Sequence, residues 1–361
     1  MNQTRAKSKL RRTLRIAGIC VGALVILIGS YAGYLYYKAD RALGRIAAPP
    51  SPSASASASP SAEPSPSASG DNADTQTDNR PMTFLLAGID SRAGSGGTLN
   101  TDVMMLAVLN PADRKMTLLS LPRDMELKPQ TLSSHKANYY YAYFYNKDKD
   151  TAIANTKEFF GDLFQLPIDH MVLINFDGLR QLVDAVGGLD IDVDMDMKYR
   201  DTADGTNIDL RKGQQELDGQ QVLDFVRYRK SNEGTQESSD IARNARQQQV
   251  LSQMINKLAT FQGMTQWGKV LDIAGDSVRT DIPESDLRSW ILDFQSMKPE
   301  TTQILTLDSK WVNPYIVVDE NNLRQSIDTL RTEAGLQTNE SDLRQLADVI
   351  AVEPSSDSPA L

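Results

Sequence analysis

Cysteine and histidine are almost missing from this chain of 361 residues, which has one cysteine, Cys20, and two histidines, His135 and His170. A zinc centre needs more nitrogen and sulfur ligands than these supply. A disulfide framework is excluded as well, since the single thiol has no second one to pair with. Neither histidine has a nucleophile motif beside it, so a Ser-His-Asp arrangement finds no support. A net positive charge is absent beyond the start: nine basic residues and one acid up to Arg45 leave the remainder at −17, against −9 for the whole chain. Nucleic-acid binders carry a basic footprint, and this segment carries the reverse.

Charge of either sign is absent from Ile16 to Tyr37. At about 1.5 Å per residue, such a helix spans roughly 33 Å, enough for a hydrocarbon core of about 30 Å. Six basic residues and no acid precede it in Met1 to Arg15. That excess predicts a single-pass cell-membrane protein with a cytoplasmic N-terminus and everything after Lys38 outside. A cleaved signal peptide is the competing reading, but no small-x-small site closes the run. Cys20 follows Ile19, where a lipobox needs a small residue, which argues against lipidation.

Ala48 to Ser69 is almost entirely Pro, Ser and Ala, and 70–80 is polar. Such composition buries no core and predicts a semi-extended spacer that lifts a domain off the membrane. The expected organisation is a basic tail (1–15), a transmembrane helix (16–37), a linker (38–81), an external domain (82–334) and a mobile tail (335–361).

The external domain opens with three apolar runs read as buried strands: Met82 to Gly88, Val103 to Asn110 and Lys115 to Leu121. They deliver Asp90 and Arg92, Asp102, and Arg123 to strand ends, where ligands of such sheets gather. Asp90 and Asp102 form a candidate metal pair, because Mg²⁺ takes only one or two carboxylates beside phosphate. Capping of a turn is the plainer reading of either. The aromatic patch from Tyr139 to Tyr145 reads as a packing stripe, with an apolar groove as the alternative. Helices are expected at 151–166, 176–186, 285–297 and 320–334, and strands at 169–175, 189–197, 303–307 and 315–319. Asp190, Asp192, Asp194 and Asp196 alternate along one of these strands and read as a solvated face, with a calcium site as the alternative.

The densest chemistry lies in Val226 to Val250, VRYRKSNEGTQESSDIARNARQQQV. Arg227 and Arg229 close one element; Asp240, Arg243 and Gln247 share a face at the start of the next helix, with Arg246 beside them. Guanidinium presents a planar fork that matches phosphate oxygens and stays charged at any working pH. Four forks with few acids nearby (Glu233, Glu237, Asp240) point to a polyphosphate or pyrophosphate site rather than to surface salt bridges, which are worth only about 0 to 1 kcal/mol each.

In order and spacing, these segments resemble the LytR-CpsA-Psr family of wall-polymer ligases: GIDSR at 88–92, TDVMML at 101–106, LPRD at 121–124, Lys136-x-Asn138, FDGLRQLVDAVGGLDIDV at 176–193, LDGQQVLDFVRYR at 217–229, and Asp240-x-x-Arg243-x-x-Arg246-Gln247-Gln248. The resemblance implies an α/β domain with a mixed central sheet flanked by helices, following one transmembrane helix, and an apolar cavity for a prenyl chain. It implies a Gram-positive, Mg²⁺-dependent phosphotransferase that moves a glycopolymer, such as teichoic acid or a capsular polysaccharide, from a polyprenyl diphosphate carrier to peptidoglycan. Carried over, Asp90 and Asp102 hold Mg²⁺; Arg92, Arg123, Arg227, Arg229, Arg243, Arg246 and Gln247 serve the pyrophosphate; Asp240 orients or deprotonates the acceptor hydroxyl. Arg123, Arg227 and Arg229 are counted with Asp240 as catalytic. A membrane-anchored regulator or lipid-carrier binding module, and a polyprenyl-pyrophosphate hydrolase, are the alternatives. The chain departs from the family pattern at Asn100 (Arg expected), at Ser239 (Gly expected) and in lacking Gly-Gly after Lys136-x-Asn138.

Overall fold

The computed structural model describes residues 33–47, 80–89, 99–202, 205–260, 267–337 and 340–353. In chain order these form α1 (33–46), β1 (Met82–Ile89), β2 (Thr101–Asn110), β3 (Lys115–Ser120), β4 (Glu126–Leu127), β5 (His135–Lys136), α2 (Tyr139–Lys147), α3 (Ala152–Phe164), β6 (His170–Asn175), α4 (Phe176–Ala185) and β7 (Leu189–Val193). There follow β8 (Met197–Arg200), β9 (Asn207–Leu210), β10 (Gly213–Leu217), α5 (Gly219–Arg227), α6 (Asp240–Thr260), α7 (Trp267–Ser277), β11 (Val278–Thr280), α8 (Glu284–Leu292) and α9 (Phe294–Met297). The chain closes with β12 (Thr301–Leu305), β13 (Ser309–Val312), β14 (Tyr315–Asp319), α10 (Glu320–Glu333), α11 (Glu340–Val349) and β15 (Val352–Glu353).

Six strands make the central sheet in the order β11-β6-β1-β2-β3-β12. It is mixed: β1 runs parallel to β6 and β3 to β12, whereas β1–β2, β2–β3 and β6–β11 are antiparallel. Successive side chains of a strand point to opposite faces, so β1 sends Leu85, Ala87 and Ile89 to one core and Phe84 to another. Both faces are covered, which is why these strands read as continuous apolar runs. On the Leu85 side lie Tyr140 of α2, Phe160 and Phe164 of α3, and Leu323 and Ile327 of α10. A further core joins α4, α5, α7 and β7 through Val183, Leu189, Phe225 and Ile273.

Three expectations change. Residues 38–46 are helical and docked, with Ala42, Leu43 and Ile46 buried; Lys38 pairs with Asp272 and Arg288 with Asp40. The charged residues around this short apolar stripe gave it a linker-like composition. At the other end, the tail expected to be mobile from 335 carries α11, which buries Leu343 and Leu346, and Ile350 just after it is buried as well. The strand expected over 189–197 stops at Val193, because Asp194 and Asp196 turn away to take partners: Arg246, and the Lys212 N–H at 2.7 Å. No helix among the described residues is long and apolar enough to cross a membrane. The span expected at 16–37 lies outside the described residues up to 32.

Candidate active site

The site forms where the start of β2 meets the end of β3. Antiparallel pairing, with Met105 opposite Ser120, brings the next residues of each strand together, and the Arg123 guanidinium pairs with Asp102. Arg123 Nε also lies 3.4 Å from Asp124, and Lys136 Nζ donates to Asp124 Oδ1 at 2.8 Å. Backbone bonds fix these groups in place. Ala137 N–H donates to Met125 O at 2.8 Å, Asn138 N–H to Arg123 O at 3.1 Å and Thr101 N–H to Asn138 O at 3.2 Å.

The second wall comes from α5 and α6. Asp218 caps α5 in a reciprocal capping box with Gln221. Gly219 sits so close to α4 that a Cβ there would meet the Arg180 carbonyl oxygen at 2.0 Å, so only glycine lets α5 approach. The helix ends at Arg227, whose guanidinium lies 5.2 Å from the Phe176 ring centroid. Tyr228 is buried and its hydroxyl donates to Gln236 O at 2.7 Å, which turns its neighbour Arg229 outward to an exposed position. Ser239 Oγ accepts the Ala242 N–H at 3.1 Å and so caps α6. Serine in place of the expected glycine is thereby explained.

Arg123, Arg229 and Arg243 converge electrostatically from three different elements. Burial, then the nearby charges of Arg229 and Arg123, push the Arg243 guanidinium down to about 10, with Asp124 and Asp102 opposing. Burial pushes the Asp124 carboxyl up, but the Lys136 hydrogen bond and the charges of Arg123, Lys136 and Arg229 outweigh it and hold it below the usual carboxylate range. The charges of Arg229 and Arg123 both oppose that of Arg243, and a multivalent anion relieves that repulsion. A cleft of about 860 Å³ opens beside them, lined by Arg227, Arg229, Asp224, Gln220, Tyr199 and Arg180.

Of the residues expected from sequence, Asp102, Arg123, Arg229 and Arg243 come together here, and Arg227 lines the cleft. Gln247 is half-buried one turn along α6. Asp90, Arg92 and the side chain of Asp240 lie outside the described residues, although Asp240 starts α6. Arg246 is a correction. It is 2% exposed and bound bidentately to Asp194, with its guanidinium carbon 5.6 Å from the Phe225 ring centroid. It lies in line with buried Val250 and Met254 at spacings of four, a stripe readable in the sequence. Lys136 and Asp124 also belong to the site; both stand within quoted motifs, Lys136-x-Asn138 and LPRD, but the sequence assigns them no role. The aromatic patch divides: Tyr140 and Tyr141 pack in the core, while Tyr139 and Tyr143 line a cleft of about 510 Å³ with Leu99 and Asn100, next to β2.

No group of three or more His, Cys, Asp or Glu side chains suited to a metal is present among the described residues. Asp102 supplies a hard carboxylate oxygen beside a phosphate-suited cluster, and that donor type fits Mg²⁺, which binds few protein ligands.

The sequence is similar to a polyisoprenyl-teichoic acid–peptidoglycan teichoic acid transferase TagU of Oceanobacillus iheyensis, 32% identical over 66% of this chain and 72% of that protein. It is 28% identical to the corresponding TagV of Bacillus subtilis over 70% of this chain and 64% of the relative. Among solved structures, one described as a transcriptional regulator from Enterococcus faecalis superposes with a TM-score of 0.59 at 27% identity, over 74% of this chain and 93% of the other. The model of the LytR_cpsA_psr family matches residues 51–334, and the chain belongs to that family.

Proposed function

We propose that this protein is a phosphotransferase that links a glycopolymer, carried on a polyprenyl diphosphate, to peptidoglycan. The observation that carries this reading is the convergence of Arg123, Arg229 and Arg243 around Asp102 and Asp124. Phosphoryl transfer asks a protein mainly for positioning and charge neutralisation, and a guanidinium cluster supplies both. The names of the TagU and TagV relatives support the substrate classes.

In this reading the diphosphate lies among the three arginines with Arg92 and Gln247, and the glycan leads into the cleft past Arg227. The acceptor hydroxyl oxygen forms the new P–O bond as the diphosphate bridge breaks, and polyprenyl monophosphate departs. The hydroxyl proton passes to Asp240. Asp102, with Asp90, would hold Mg²⁺, which would supply neutralisation of phosphate charge. The cleft of Leu99, Asn100, Tyr139 and Tyr143, just before β2, suits the first units of the prenyl chain. The apolar run 16–37 anchors the chain in the cell membrane with the domain outside, where both substrates are reached.

Incubating the full-length protein in detergent with a polyprenyl-diphosphate glycan and peptidoglycan fragments tests the reading by mass spectrometry. A phosphodiester-linked product is expected; free glycan phosphate instead identifies a hydrolase.

A further inference from the structure

Trp311 is an aromatic side chain the core does not use. It is 54% exposed on β13, yet it stands next to the site. Lys136 Nζ, which hydrogen-bonds Asp124, lies 5.5 Å from the centroid of its ring. The hairpin that carries it is fastened to the site loop. Trp311 pairs in register with Ile316, and the Ile316 N–H donates to Asp124 O at 2.9 Å. Behind the hairpin, β14 pairs with β15, and Lys310 pairs with Glu353. An exposed indole is thus held in a fixed place beside Lys136 and Asp124. The 860 Å³ cleft is lined by Arg229 and by none of Trp311, Lys136 and Asp124.

The ring is suited to one kind of ligand. An aromatic face is electron-rich and attracts weakly positive C–H edges as well as cations. Lys136 lies toward one face, and the exposure leaves indole surface for a flat partner rich in axial C–H bonds. A pyranose ring has that form.

A ligase joins two substrates at one phosphorus. The larger cleft takes the donor glycan in the reading above, so the Trp311 side remains for the second sugar. We propose that Trp311 is the stacking platform for the acceptor saccharide, an N-acetylhexosamine chain, and that it sets acceptor affinity. This rests on the ligase reading.

The experiment uses the full-length protein in detergent, with Trp311→Leu, Trp311→Phe and wild type compared. In a transfer assay, Trp311→Leu is expected to raise the acceptor KM roughly threefold to tenfold, the worth of one aromatic contact. Donor KM and kcat stay unchanged, and Trp311→Phe recovers most of the affinity. An unchanged acceptor KM, or a rise confined to donor KM, overturns the proposal. A second readout needs no turnover: tryptophan fluorescence titrated with a soluble β-1,4-linked N-acetylglucosamine tetramer. Saturable change is expected in wild type and its loss in Trp311→Leu, with Trp267 and Trp290 still present. Equal saturable signals in both proteins overturn the proposal. Saturable Trp311-dependent binding without any transfer in wild type defeats the ligase reading while leaving the saccharide platform standing.

Discussion

Arg246 holds both carboxylate oxygens of Asp194, with Nε at 2.7 Å and Nη2 at 2.8 Å, and a further Nη1 contact to Tyr228 O at 3.4 Å. It therefore ties α6 to the segment between Arg227 and Arg229 and positions the site without facing it. Breaking a fully buried ion pair costs about 3 to 5 kcal/mol. Asp194 is 44% exposed and rehydrates readily, so Arg246→Ala is expected to cost roughly 2 to 3 kcal/mol. Denaturant unfolding measures it. Unchanged stability with lost phosphate affinity would restore Arg246 as a phosphate ligand.

Arg229 and Arg243 belong to the cluster itself. A hydrogen bond to a charged group is worth about 1.5 to 3 kcal/mol, so each single Ala variant is expected to lower kcat/KM roughly 10- to 100-fold. Arg227→Ala also lowers turnover, since Arg227 lines the adjoining cleft. Thermal unfolding should stay close to wild type for the exposed Arg229. Normal transfer by a folded Arg227→Ala, Arg229→Ala double variant contradicts the assignment.

Asp102 is paired with Arg123, so a metal at this carboxylate shares it with a guanidinium. Transfer is expected to stop in EDTA and return with Mg²⁺, and Asp102→Asn to require much more Mg²⁺ for half-maximal rate. Full rate in EDTA removes the metal from the account.

Asp224 is 8% exposed and lines the cleft, and burial pushes its carboxyl up to about 6, against the Gln220 hydrogen bond and the Arg227 charge. The native state therefore keeps a proton that the unfolded chain releases near pH 4, and stability falls as pH rises from about 4 to 6. Asp224→Asn keeps an oxygen for Gln220 and removes the penalty. It is expected to be roughly 2 to 3 kcal/mol more stable than wild type at pH 7 and equal to it below pH 4. Stability curves that run parallel from pH 4 to pH 7 contradict this.

Much of this was legible in the chain. β1, β2 and β3 declared themselves because both sheet faces are buried, and α6 because its polar and apolar faces are distinct. Asp102 and Arg123 were found as polar residues at the ends of apolar runs. Lys136 and Asp124 were not, since their pairing depends on β4–β5 contacts rather than on local pattern. The helical stretch 38–46 and the helix Glu340–Val349 were missed because each buries only a few apolar residues within charged surroundings, a signal that tertiary contact completes. Arg246 was misplaced because guanidinium chemistry is the same whether it faces a phosphate or a carboxylate.

The central claim is that Arg123, Arg229 and Arg243 form a diphosphate site. Calorimetric titration of wild type and an Arg229→Ala, Arg243→Ala double variant with a short-chain, water-soluble polyprenyl diphosphate tests it most directly. The account predicts saturable binding that weakens at least about 100-fold in the folded double variant. Equal affinity in the two proteins would contradict it.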